Sequence, residues 1–210
     1  MEDSMGTEPA MLKTTFEGAE IIHRHLWEIV EAEAKLASAR DKDWFNPSLV
    51  AMVFASHTVE AYLNFIGERI APDIWKDERN YFRKQPYRGW EGKLRKVLEL
   101  VGMACSPDIP PLKTVLGLKE LRDLIAHGKP EKLAGEIIHP QGTDSPFPVS
   151  TLRGLITPKA KLATVMADIE KFLNEIHTLA APKVNDPWFG TEALRGPSTY
   201  SAGTTTLRDA

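Results

Sequence analysis

"NPSLVAMVFASHTVEAYLNFIGERIAP", Asn46 to Pro72, is the stretch that sets the fold class. Leu49, Met52, Ser56, Val59, Leu63, Ile66 and Ile70 recur at steps of three and four. That rhythm lines one side of an α-helix and predicts a seam packed against other helices. Pro47 suits a first helical turn, with Asn46 as candidate cap, and "AP" at Ala71 and Pro72 ends the run.

The same rhythm recurs outward from this helix. Between about Phe16 and Arg40 it passes through Ala19, Ile22, Leu26, Ile29, Glu33 and Leu36. After an irregular, aromatic and basic stretch, a helix from about Trp90 to Met103 carries Leu94, Val97, Leu98 and Val101. Beyond the break "CSPDIPP", another runs from about Leu112 through Leu116, Leu118, Leu121, Leu124 and Ile125. A last one, from Pro158 to about Ala181, carries Leu162, Val165, Met166, Ile169, Phe172, Leu173, Ile176 and Leu179. The expectation is an all-α chain, a helical bundle of about five helices. Two β-prone runs between 135 and 156 predict a small hairpin or loop insertion. Residues 1–15 read as a disordered leader and 16–181 as the helical domain. The Gly/Pro/Ser/Thr-rich stretch 182–210 reads as a flexible tail.

Composition narrows the function classes. The chain has 210 residues, 42% hydrophobic and 26% charged, with a net charge of −3. No global positive field draws it to nucleic acid or membrane, so such binding needs a local patch. One cysteine, Cys105, rules out an internal disulfide framework and a Cys-based metal cluster. A reducing, cytoplasmic setting is expected. "MEDSMGTEP" does not read as a signal peptide, and no membrane partner is expected. His23 and His25 point in different directions on a helix, and His139 and His177 lack ligand neighbours, so no metal or cofactor is expected.

"ELRDLIAHGKP", Glu120 to Pro130, admits two readings. It is a good helix stop, with Gly128 available for a left-handed C′ position, Pro130 beyond it, and a His near the negative end of the dipole. It also sets Asp123 and His127 on one face, with Arg122 about 140° round from the His at ~100° per residue. An Arg offers a forked donor set to phosphate oxygens, and a His can give or take a proton. One such pair is a thin site, but two-fold symmetry would double it.

Two further features are open in the same way. His57, Glu60 and Asn64 form a polar stripe beside the apolar seam, either a solvated face or the lining of the same cleft with Glu60 pairing Arg122. "RNYFRKQPYRGWEGKLRK", Arg79 to Lys96, holds seven basic residues and one acidic, with Tyr81, Phe82, Tyr87 and Trp90 interleaved. Arg79, Arg83, Lys84, Arg88, Lys93 and Lys96 would track a phosphate backbone while the rings stack on unpaired bases. The plainer alternative is a surface loop whose aromatic residues pack on the bundle.

"LKELRDLIAHGK" resembles the signature of the HEPN superfamily, in which an Arg and a following polar residue precede a His by four to six positions near a helix end. Here these are Arg122, Asp123 and His127. "SHTVEAYLNFIGERI" and "WEGKLRKVLEL" are similar to the family's earlier helices, and the resemblance covers roughly residues 16 to 180. It implies a metal-independent endoribonuclease, a hydrolase that pairs as a homodimer and acts on single-stranded RNA or tRNA loops. Some members serve as toxins of toxin–antitoxin pairs or as defence effectors, so an antitoxin or other protein partner is implied as well. By that resemblance His127 is the general acid/base and Arg122 binds phosphate, with Asp123, Glu60, Asn64 and His57 in support. Asp123 departs from the Asn often found there. Other family members are non-catalytic modules that bind a partner protein or nucleotide.

Overall fold

The computed structural model describes residues 12–40, 43–134, 136, 138, 140–141, 151–156, 159–186 and 188–207. The chain order is β1 (Leu12–Glu20), α1 (Ile22–Ala39), α2 (Phe45–Ile70), α3 (Pro72–Lys76), α4 (Glu78–Tyr81), α5 (Gly89–Val101), α6 (Leu112–Ala126), α7 (Thr151–Leu155), α8 (Lys159–Ala180), a 3₁₀ turn (Ala181–Lys183) and β2 (Thr199–Leu207). The fold is mostly helical.

Helix α2 is the axis of the molecule, and α1, α3, α5, α6 and α8 all pack on it. Met52, Ser56, Val59, Leu63 and Ile66 of its seam are buried, and so are Ala51, Ala55, Tyr62 and Phe65 on other faces. A helix with most of its apolar residues packed against other helices can have the length and hydropathy of a bilayer span, and α2 meets both criteria. Burial among helices accounts for that composition. It begins at Phe45, so Asn46 lies inside the helix and does not cap it. The rest of the core comes from Leu94, Val97 and Val101 of α5, Leu112, Val115, Leu118 and Leu121 of α6, and Leu162, Ile169, Phe172, Leu173 and Ile176 of α8.

Helix α1 departs from expectation. Its buried face is His23, Arg24, Trp27, Val30, Ala34 and Ala37, whereas Ile22, Ile29 and Leu36 are 51%, 38% and 39% exposed. Two seams one residue apart compete on this helix. The winner presents one large ring, Trp27, and two alanines that let α2 approach closely, with Ala37 and Val30 fully enclosed.

The ends of the chain differ most from the sequence reading. Residues 12–15, assigned to the leader, and 16–20, assigned to the first helix, form β1. It pairs antiparallel with β2, from Leu12 opposite Leu207 to Glu20 opposite Thr199. Residues 184–186 and 188–198, expected to be flexible, strap across α1, α2 and α8 and bury Phe189, Ala193 and Leu194. Most of the hairpin expected at 135–156 falls outside the described residues, but 151–155 is helical.

Candidate functional site

Arg122 lies on α6, half-buried, where it faces the middle of α2. Its Nη2 donates to Glu60 Oε2 at 3.3 Å, so the stripe residue expected to pair with it does so. Its Nη1 donates to Asp123 Oδ1 at 3.1 Å. Lys119, one turn earlier, joins Asp123 (3.0 Å) to Glu91 of α5 (3.2 Å). The hydrogen bond from Lys119, then that from Arg122, holds the Asp123 carboxyl below the usual aspartate range, and Asp123 with Glu91 raises the Lys119 ammonium. Three carboxylates therefore surround two cations at the junction of α2, α5 and α6.

His127 closes α6. Its backbone has left helical geometry (φ −117°, ψ 16°), its N–H reaches Asp123 O at 3.0 Å, and the residue is exposed. Gly128 stays outside the left-handed region expected of it, so the helix ends at His127 and no left-handed turn caps it.

The remaining stripe residues part company. His57 is exposed. Asn64 turns to a different cluster, accepting from Lys93 Nζ at 3.1 Å and from Trp75 Nε1 at 3.4 Å. Trp75 fits there because residue 67 is glycine, where a Cβ would lie 1.9 Å from Trp75 Cε2. Lys93 is 9% exposed and also paired with Glu78. It is thus a structural cation and does not track phosphates as the sequence suggested, because an ammonium this enclosed keeps its fixed partners.

The basic segment divides into an exposed edge and an inward-facing aromatic set. Arg79, Arg83, Lys84 and Arg88 are exposed. Lys96 is half-buried, 4.8 Å above the Tyr87 ring and 3.9 Å from Glu99. Phe82 is buried edge-on to Trp75, Trp90 packs on the core, and Tyr81 stacks on Tyr87 at 5.7 Å. The Tyr87 hydroxyl is engaged by Glu99 at 2.6 Å, the main reason its acidity is weakened. The rings pack on the bundle, as the plainer reading had it. A cavity of about 380 Å³ opens beside them, lined by Asn80, Tyr81, Lys84 and Tyr87.

A second polar centre, unread in the sequence, lies under this C-terminal strap. Arg24, 2% exposed, donates to Pro197 O (2.8 Å) and Phe189 O (3.2 Å). Gly190 and Gly196 take positive φ of 78° and 110° beside its guanidinium, where a Cβ would press on the Arg24 nitrogens. His23 Nε2 must be the protonated nitrogen, since it meets the carbonyl of Ala193 at 2.9 Å. His177 Nε2 likewise donates to Gly190 O (3.3 Å), leaving Nδ1 to accept from Tyr62 OH (3.1 Å). Its ring stacks on Phe189 at 3.9 Å. Burial, reinforced by the Arg24 charge, lowers His23 to about 3, and burial lowers His177 as well, so both stay neutral. Asp186 with Arg69 (2.8 Å), and Arg195 with Glu170 (2.8 Å), pin the strap at its edges. The sequence signal available was weak: His23 and Arg24 fall on the inner face of α1 once that helix is turned correctly, and His177 is a buried polar residue of α8.

Among the described residues, no group of three or more His, Cys, Asp or Glu is placed to hold a metal ion. Comparison with family models, with curated proteins and with solved structures finds no match to this chain.

Proposed function

We propose that the chain is a HEPN-type helical-bundle endoribonuclease that works without metal, as a homodimer, on single-stranded RNA or tRNA loops, as a toxin or defence effector. The observation that carries this reading is the Arg122–Glu60 pair. It fixes a guanidinium on the α2-facing side of α6, within the last two turns before an exposed His127. In the proposed reaction a ribose 2′-OH loses its proton to one His127 and attacks the neighbouring phosphorus. The 5′-oxygen leaves with a proton from the second subunit's His127, and a 2′,3′-cyclic phosphate remains. Arg122 stabilises the charge on the phosphoryl oxygens. The exposed edge of Arg79, Arg83, Lys84 and Arg88 supports a path for the backbone of the RNA.

The test is cleavage of labelled RNA in EDTA by the full chain and by His127→Ala. Loss of a general acid/base should slow cleavage by roughly 10²-fold or more. Equal rates, or no cleavage of any RNA by the wild type, would reject the reading.

One observation favours a second reading. Arg122 is shared by two carboxylates, and its cluster holds more acidic than basic groups, an arrangement that repels phosphate. A non-catalytic HEPN-like module binding a partner protein or nucleotide fits it. That reading predicts that Arg122 and His127 substitutions alter binding or stability, with no cleavage to lose.

A further inference from the structure

The seam that the sequence marks on α1 is present in the structure, and the bundle leaves it outside. Ile22, Leu26, Ile29, Glu33 and Leu36 alternate steps of four and three, the ~3.5-residue period of a coiled-coil seam. Each follows the same rule: the next residue is buried instead, as His23, Trp27, Val30, Ala34 and Ala37. The two stripes therefore lie ~100° apart on the helix. Packing into the bundle uses the second stripe. On the first, Ile22, Ile29 and Leu36 are exposed, and Leu26 and Glu33 are half-buried. Among the described residues nine large apolar side chains are exposed, and three of them share this one face. Single apolar residues scattered over a surface need no explanation, but an aligned set marks an interaction site.

Glu33 says what covers the seam. It is the one charge in the stripe. Its neighbour Glu31 is bridged to Arg195, and Glu28 lies 3.7 Å from His25, whereas Glu33 meets no cation among the described residues. An apolar helix laid over the seam would strip water from this carboxylate, at a high cost unless a positive charge stands opposite. A second copy of α1 does not supply one. Paired parallel, it sets Glu33 against Glu33. Paired antiparallel about Ile29, it sets Glu33 against Leu26 and His25, and His25 already lies between Glu20 and Glu28. Apart from the enclosed Arg24, α1 carries three carboxylates, Glu28, Glu31 and Glu33, against Lys35, a balance that steers basic partners toward it.

We propose that this face of α1 docks an amphipathic helix of a different protein, whose apolar repeat of threes and fours carries one Lys or Arg where it meets Glu33. The visitor lies along α1 as the second strand of a short coiled coil. Apolar contact supplies the affinity, and the pair at Glu33 fixes the register, because a slip of one heptad sets the visitor's cation against Leu26 and leaves Glu33 facing an apolar residue. This surface does not depend on the ribonuclease reading, because none of its residues belongs to the α6 site.

The probe is a labelled helical peptide of about three heptads, with Ile and Leu along its seam, one central Lys in that seam and Gln on its other faces. A control peptide carries Glu in place of the Lys. Binding to the full chain is read by fluorescence anisotropy, without RNA. The wild type should bind the Lys peptide at least about tenfold more tightly than the Glu peptide, a difference of ~1.4 kcal/mol. Glu33→Lys should reverse that order. Ile29→Asp, at an exposed position, should weaken the Lys peptide by a similar factor with helix content unchanged by circular dichroism. No binding of the Lys peptide, equal affinity for the two peptides, or an unchanged order in Glu33→Lys overturns the proposal. Sedimentation separates out a second copy as the occupant. Wild type and Ile29→Asp should have the same mass, and a lower mass for the variant would mean that another copy of α1 covers the seam, which also overturns it.

Discussion

Arg122 and Arg24 are both guanidiniums on helices that pack against α2, and each has a histidine near it in sequence, yet the molecule treats them oppositely. Arg122 is half-exposed, shares its charge with Glu60 and Asp123, and precedes a histidine open to solvent. Arg24 is enclosed, donates to the Pro197 and Phe189 carbonyls, and adjoins a histidine held neutral by burial. An Arg–His pair is therefore not a site by composition. What separates the two pairs is whether the pair keeps access to water and whether its partners are titratable side chains or the backbone.

The largest expected effect tests the architectural side. Phe189 is 5% exposed, and its ring stacks on His177 and on Phe65. Phe189→Ala should destabilise the full chain by about 3–5 kcal/mol in urea unfolding. A loss below ~1 kcal/mol would mean the strap is not part of the core, and the contrast between the two centres would fail.

Next comes the pH dependence. His23 titrates near 3 when folded and near 6.5 when unfolded, so between those values the unfolded chain binds the extra proton. Stability therefore falls as pH falls through that window, by up to ~1.4 kcal/mol per pH unit from this residue. His177, shifted the same way, adds to it. His23→Gln retains an N–H donor for the Ala193 carbonyl and removes the titration. The variant should lose less stability than wild type between pH 7 and pH 5. Identical pH slopes would place His23 in water.

The smallest effect probes the exposed centre. Asp123→Asn should change stability by no more than ~0.5 kcal/mol, as for other surface ion pairs. The same change frees Arg122 from one carboxylate and should raise RNA cleavage if the ribonuclease reading holds. A drop in cleavage would show that Asp123 positions the Arg and does not restrain it.

What was legible in the sequence follows the range of the interactions. The α2 seam was readable because helical periodicity is local. The Arg122–Glu60 pair was readable because both residues sit beside seams whose facing follows from that periodicity. The rotation of α1 was not, since the stripes starting at Ile22 and at His23 have the same spacing and only Trp27 and the alanines against α2 decide between them. The strap was invisible because Arg24, His23 and His177 bind backbone carbonyls, which have no signature in residue type. Strand β2 was hidden for a related reason: "SAGTTT" has the composition of a linker until a partner strand almost the whole chain away gives its backbone hydrogen bonds.

The β1–β2 ribbon also has a kinetic meaning. Leu12 lies opposite Leu207, so the pairing closes a loop containing nearly the whole chain. The entropy of closure rises with the logarithm of loop length, and no single strand pair repays it early. The helices must condense first and bring Ile21 N–H to Ser198 O, after which the strands can zip outward from that contact. The same order in reverse makes the ribbon the first element to open, with amides that exchange with solvent well before those of α2.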